Sequence, residues 1–523
     1  MGITQCITRA AQNRPRAHAT TFGSRTRRWH EFAGRVARLA GALRSLGIGA
    51  GDRVAALALN SDRYLEYYAA VPWAGAVVVP LNTRWSAQEN IFALRDSGAK
   101  VLMIDDALAP AAHALLAEAR SLPVIHLGDS AAPGGMTSYE HLIESSAAIA
   151  DAAPPAEELA GIFYTSGTTG RAKGVMLSHR SLWASAAAAA IVVPRAADSV
   201  TLHAAPMFSV GPFSQVMAAF LAEGRHVIIP RFEPERVFEA IERDRVTHVA
   251  LVPTMVHMLV SHPNLARTDL ASLRCVTYAA APMPEALLRT AMQAFRGCDF
   301  VQLYGQTELS PTATVLPPDY HALEGPKAGK LTSAGRATPC CTVDVVDDRG
   351  LSVPCGTVGE IRVRGLNTML GYWNNPEATA AALREGWIHT GDAGRLDEEG
   401  FVYVVDRVKD MIIRGGENIY SAEVENACAS HPAVAQCAVI GIADEKWGEA
   451  VHAIVILKEG RELSAADLID HCRGLIAGYK CPRTIEFRTD PFPLSAIGKV
   501  LKRELRRVHR QTHENTRRDG QWT

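Results

Sequence analysis

The strongest constraint on the fold is a rhythm: short buried apolar runs alternate with amphipathic stretches along most of the chain. From Trp29 to Leu46 apolar residues recur at helical spacing, with Gly47 and Gly49 as a stop. Val54 to Leu59 reads as a buried strand, Ser61 opens a helix through Ala70, and Val77-Val78-Val79-Pro80 is another strand. Ala87 to Ser97 is a helix and Val101 to Ile104 a strand. Strands that alternate with helices imply a parallel or mixed sheet covered on both faces. The rhythm returns in Val227-Ile228-Ile229, the helix from Pro234, and Val249 to Val252, so two α/β layers are expected side by side. From Val343 the texture changes to short strands and turns: Val343 to Val346, Asp347-Asp348-Arg349-Gly350, then Glu360 to Val363. That pattern predicts a small β unit. After Asp406-Arg407-Val408-Lys409 a fresh pattern of strands and helices runs to Leu505. The expected fold class is therefore α/β, with a large N-terminal domain (1–408) and a smaller α+β C-terminal domain (409–523).

At 523 residues the chain is long enough for more than one domain and a substantial core. Its 54 lysines and arginines nearly cancel 55 aspartates and glutamates, so no global field favours nucleic acid or an anionic membrane. The ten cysteines form no C-x-x-C pair, only the neighbours Cys340-Cys341, which argues against zinc and a disulfide framework and for a reducing compartment. The N-terminus lacks the apolar region of a signal peptide, and Cys6 stands where a myristoylation start wants Ser or Thr. The longest apolar stretch, Ala184 to Pro194, is too short to span a bilayer. A soluble, cytoplasmic protein is expected, and its oligomeric state is left open.

Between two apolar runs, Ile162-Phe163 and Val175-Met176-Leu177, lies Tyr164-Thr165-Ser166-Gly167-Thr168-Thr169-Gly170-Arg171-Ala172-Lys173-Gly174. Glycines and hydroxyl residues let backbone N–H and side-chain O–H groups converge on an anion, and Lys173 adds a point charge suited to polyphosphate. A polar surface turn has a similar composition. The spacing is not that of a Walker A loop.

Together with this loop, four further blocks occur in order: Tyr304-Gly305-Gln306-Thr307-Glu308, Thr390-Gly391-Asp392, Asp406 to Glu425, and Pro493 to Leu505. With them the chain, from about Trp29 to Leu505, resembles the acyl-adenylate-forming superfamily of acyl-CoA synthetases, peptide-synthetase adenylation domains and firefly-type luciferases. In that chemistry a carboxylate attacks the α-phosphorus of ATP and expels pyrophosphate, and a thiolate then displaces AMP. Such phosphoryl transfer asks the protein mainly for positioning and charge neutralisation.

The resemblance implies an ATP site made of Thr165, Ser166, Gly167, Thr168, Thr169, Gly170 and Lys173 around the phosphates, Ala280, Ala281 and Tyr304 at adenine, Gly305 in its turn, and Thr307 at the α-phosphate. It implies Glu308 as the Mg2+ ligand, since a hard cation wants carboxylate oxygen. Asp392, assisted by Arg407, would hold the ribose hydroxyls. Lys499, after Gly498, would be the catalytic lysine, acting with Thr307 and Glu308 as charge develops between carboxylate and α-phosphate. Lys409 would be the hinge on which a mobile C-terminal domain swings between half-reactions. Gly415 and Gly416 would then leave a channel for the pantetheine arm of coenzyme A, although Gly-Gly also makes a plain hairpin turn.

The chain departs from the family pattern at several points. Many acyl- and aryl-CoA synthetases carry His where this sequence has Ser209, and amino-acid-activating members carry an Asp nearby. Ala279 and Ala280 replace common glycines, and Ser421 stands where proline is frequent. An acyl pocket of Phe208, Ser209, Val210, Phe213, Tyr278 and Ala279 is apolar and suits a hydrophobic tail. The expected activity is ATP-dependent ligation of a hydrophobic monocarboxylic acid, fatty or aromatic, to coenzyme A. Loading of a carrier protein and a non-catalytic nucleotide-binding role are the alternatives.

Overall fold

A computed structural model describes residues 2–165, 172–193, 195–415, 417–444, 446–494 and 500–519. The first α/β layer is an eight-stranded sheet. Its centre is parallel: Leu159–Thr165, Val77–Pro80, Arg53–Leu57, Val101–Ile104 and Val124–His126 lie side by side in that order. The second is a nine-stranded sheet whose parallel core is Asp299–Tyr304, Cys275–Ala279, His248–Leu251, Val200–His203 and Arg225–Ile228. Both were expected from the alternating pattern. The strands Val77–Pro80 and Val101–Ile104 are wholly buried, as an apolar run without polar alternation requires when helices cover both faces.

Helices Trp29–Ser45, Asp62–Trp73 and Val210–Leu221 pack between the two sheets. Phe32 and Phe220 rings stand 5.7 Å apart, Trp29 meets His226 of the second sheet edge-on, and the Tyr67 hydroxyl donates to the Val54 carbonyl of the first. Ser61 caps the second of these helices by accepting the Tyr64 N–H, as its position before the apolar run anticipates.

A five-stranded sheet follows, including Cys341–Val346, Gly359–Gly365, Trp387–Leu396 and Val402–Arg407. It is the small β unit anticipated from the short strands. Beyond it, Gly448–Leu457 and Val434–Asp444 form the centre of a separate sheet, covered by helices Ser421–Ala429 and Ala465–Arg473. No helix among the described residues is long and apolar enough to cross a membrane.

The space between the layers buries neutral histidines. His203 and His226 stack at 5.1 Å, with Nε2 of one 2.9 Å from Nδ1 of the other. Burial lowers His203 to about 3 and holds His226 well below its ordinary value. A base depressed in the folded state leaves the unfolded chain to take the proton first. Stability is thus fully present above ~6.5 and is lost as pH falls, by about 1.4 kcal/mol per unit for each such histidine. Chemical denaturation at pH 7 and pH 5 should show this loss. Equal stability at both would mean that the pair is solvated.

Candidate active site

The strands Leu159–Thr165 and Lys173–Ser178 form an antiparallel pair in which Thr165 faces Lys173. Both residues line one large cleft, of about 2210 Å³, at the C-terminal ends of the parallel strands. Ser166, Gly167, Thr168, Thr169 and Gly170 of the connecting loop lie outside the described residues, so their expected phosphate contacts rest on the sequence.

The other blocks arrive at the same cleft from distant parts of the chain. Strand Asp299–Tyr304 delivers Tyr304, and a tight turn follows. A Cβ on Gly305 would come within 2.0 Å of the Pro311 carbonyl oxygen, so the turn admits only glycine there. Thr307 and Glu308 follow in a short 3₁₀ turn. On the neighbouring sheet, Asp392 and Arg407 stand opposite each other on antiparallel strands, with Arg407 Nε 2.7 Å from Asp392 Oδ1. The Tyr304 hydroxyl donates to Asp392 Oδ2 at 2.7 Å. Tyr304, Gly305, Thr307, Glu308, Asp392 and Arg407 all line the cleft, and so do Ala280 and Ala281. Ala280 adopts φ +75°, the left-handed region that a glycine would enter without penalty.

Tyr372 was not anticipated. Its hydroxyl donates to Glu308 Oε1 at 2.7 Å, and Lys173 Nζ stands 5.0 Å from the centre of its ring. It thereby ties the end of the glycine loop to the acidic residue of the second block. Burial and the adjacent Glu308 carboxylate push the Tyr372 phenol far above its ordinary value, so it stays a donor. Nothing around Leu370-Gly371-Tyr372-Trp373 in sequence marks this role. The pairing of Tyr372 with Val175 beside the loop creates it.

The acyl side needs two corrections. Phe208, Ser209, Val210 and Ala279 line the cleft, whereas Phe213 and Tyr278 do not. On helix Val210–Leu221 the residues that line the cleft are Val210, Gly211, Pro212, Ser214 and Gln215, and Phe213 projects to the opposite side. There it packs 4.6 Å from Tyr68 and 5.5 Å from Phe163. In strand Cys275–Ala279 the side chains alternate, so Thr277 and Ala279 face the cleft and Tyr278 faces the helices behind the sheet. The Tyr278 hydroxyl meets His321 Nε2 at 3.0 Å. Four of the six residues expected there line the cleft, but the facing of each side chain was not legible in the sequence.

Lys499 lies outside the described residues. Its flanks, Leu494 and Val500, pair in a β-bridge and line the cleft. Lys409 belongs to the turn Val408–Asp410, and its side chain is not described. Around this turn, Arg506 Nη1 binds Asp410 Oδ1 at 2.7 Å, and Asp406 Oδ2 accepts both N–H and O–H of Ser421. Ser421, which stands where proline is frequent, therefore joins the last strand of the third sheet to the C-terminal region. Gly415 is not brought to the cleft here. Strands Ile412–Arg414 and Glu417–Ile419 pair Arg414 with Glu417, making Gly415 the first residue of a hairpin turn at φ +60°, packed on Trp447. Gly416 is outside the described residues.

Thr165 and Lys173, the Glu308 carboxylate and the Asp392–Arg407 pair thus meet at one cleft. The sequence matches the model of the AMP-binding enzyme family over residues 7–373 and that of the AMP-binding enzyme C-terminal domain over 423–499. The chain belongs to this family, the acyl-adenylate-forming enzymes. It is 41% identical to a feruloyl-CoA synthase of Amycolatopsis over 97% of its own length and 99% of that protein's. It is 38% identical to an indoleacetate–CoA ligase of Aromatoleum aromaticum, covering 97% of this chain and 98% of that one. The crystal structure of ATP-bound MatB from Rhodopseudomonas palustris superposes with a TM-score of 0.87 at 30% identity, covering 97% of this chain and 99% of that one.

Proposed function

We propose that this protein is an ATP-dependent, AMP-forming carboxylate:CoA ligase acting on a hydrophobic monocarboxylic acid, with an aromatic acid favoured by the two relatives named above. The observation that carries the reading is the convergence of five separated sequence blocks on one cleft. Thr165 and Lys173, with the loop between them, would hold the β- and γ-phosphates. Tyr304 spends its hydroxyl on Asp392, which leaves its ring face for adenine. Asp392 is held by Tyr304 and Arg407, yet a carboxylate has about four lone-pair sites, so acceptor capacity remains for the ribose hydroxyls.

Among the described residues no three His, Cys, Asp or Glu side chains gather as a metal cage. One carboxylate, Glu308, beside a phosphate loop fits Mg2+, which takes most of its oxygens from phosphate and water. Tyr372 holds that carboxylate in place through one oxygen. The bound ion would neutralise charge on the transferring phosphate. Thr307 would sit at the α-phosphate, and Lys499 would stabilise the charge that forms between it and the acid. The placement of Leu494 and Val500 at the cleft while Gly415 is away from it supports an adenylating arrangement. A swing of residues 409–523 about Lys409 would then bring Gly415 and Gly416 to the CoA path. Ten unpaired cysteines and the need for ATP and CoA support a cytoplasmic site of action.

The direct test is release of AMP and pyrophosphate with ATP, magnesium and CoA across aliphatic and aromatic acids, with mass spectrometry of the product. A CoA thioester from one hydrophobic class is expected. Acyl-AMP without thioester would point to a carrier-protein acceptor, and no turnover with any acid would overturn the ligase reading. Glu308→Gln keeps a hydrogen-bond acceptor for Tyr372 but loses the charge. It should lower adenylation about 10- to 100-fold with the melting temperature preserved. A lowered melting temperature with normal turnover would make Glu308 structural.

A further inference from the structure

The far wall of the acyl arm is polar, although its nearer walls are apolar. In the nine-stranded sheet Ala250, Thr277 and Val301 form one row, and the register of Thr201 on His248 and Leu202 on Val249 brings His203 to the same row. The helix Val210–Leu221 passes over it and presents Ser214 and Gln215. His203, Thr277, Ser214 and Gln215 all line the cleft. The Ser214 hydroxyl is buried without a hydrogen-bond partner among the described residues.

Gln215 is 6% exposed, and its Oε1 accepts an N–H from Arg195 Nη2 at 2.5 Å. A guanidinium carries donors only, so the amide orientation is forced: Oε1 toward Arg195, and the two Nε2 donors away from it. Among the described residues no protein acceptor takes those donors. Arg195 is held in turn by Thr201 Oγ1 at 3.0 Å, and burial lowers its guanidinium to about 10. Behind it lies a second cavity of about 330 Å³, lined by Arg195, His248 and Cys275, one step further along the same strand faces. The Arg195–Gln215 pair thus closes the arm.

His203 is neutral and bonded to His226, so among the described residues of this row no cation faces the arm. What it offers is a set of neutral polar groups, of which the Gln215 Nε2 amide can only donate. From Val301 in this row to Gly305 at the reacting end is four residues of nearly extended chain, ~13 Å. That span suits an aromatic ring on a short acid arm.

We propose that the acid carries a neutral oxygen, as a hydroxyl, methoxy or keto group, at the end remote from its carboxylate, and that the Gln215 amide binds that oxygen. Arg195 is a positioning residue, which holds the amide without touching the acid. This proposal rests on the ligase reading above and sharpens its substrate class.

The test compares kcat/KM for 3-(4-hydroxyphenyl)propenoate and its 4-methyl isostere, with ATP, magnesium and CoA. The hydroxy acid is expected to be preferred about 10- to 100-fold by the unmodified protein, because the methyl group leaves buried donors unpaired. Gln215→Glu pairs with Arg195, preserves shape and removes the donors, so its ratio should fall to about one or below. Arg195→Met frees the amide to turn and should lower the ratio mainly through KM of the hydroxy acid. Ratios within one variant cancel any general loss of activity, and melting temperatures check the fold. A ratio near one in the unmodified protein, or a preference retained in Gln215→Glu, overturns the proposal while leaving the ligase reading intact. Absence of pyrophosphate release with every acid overturns both.

Discussion

Lys499→Ala is expected to slow acyl-AMP formation about 100- to 1000-fold, the cost of removing one preorganised charge from a developing anion. Thioester formation from supplied acyl-AMP should stay within about threefold, because in the proposed cycle this lysine serves only the first half-reaction. ATP–pyrophosphate exchange and CoA capture of synthetic acyl-AMP measure the two steps separately. The structural ground is local. The described residues on either side of the segment, Leu494 and Val500, pair in a bridge and line the cleft. Equal loss in both half-reactions would show that Lys499 supports folding or general binding, and would remove the two-state assignment with it.

Glu66→Ala should cost about 3–5 kcal/mol, because it strips the buried partner from charged groups that remain. Glu66 is fully buried on helix Asp62–Trp73. Arg35 grips it through Nε at 2.6 Å and Nη2 at 3.1 Å, and the Tyr139 hydroxyl donates to it at 2.6 Å. Arg35 also binds Glu140, which Arg63 holds at 2.9 Å, so the network links three helices. A fall in melting temperature on the order of 10 °C is expected, together with near-normal turnover at low temperature, since Glu66 does not line the cleft. An unchanged melting temperature would mean that solvent replaces the carboxylate at no cost. Glu66→Gln should fall between the two, because it keeps one acceptor for Arg35 while losing the charge.

By itself the sequence determined the elements and the chemistry they carry. Val77–Pro80, Ala87–Ser97 and Val101–Ile104 were legible to the residue, because burial on two faces demands an unbroken apolar run and the helix between carries its own periodicity. The Asp392–Arg407 pair was legible too, since each lies within an ordered block of the family. The tertiary structure alone decided which way side chains face and which distant residues meet. Phe213 and Phe208 look alike in sequence, yet the turn of one helix sends Phe213 into the core. Tyr278 and Ala279 are neighbours that the pleat of one strand sends to opposite sides of a sheet. Tyr372 beside Glu308, and Arg195 behind Gln215, left no sequence signal, because hydrogen bonds across 64 and 20 residues arise only when strands and helices pack. Local periodicity encodes what a segment becomes, but the register of one element against another is set by the packing of the whole chain.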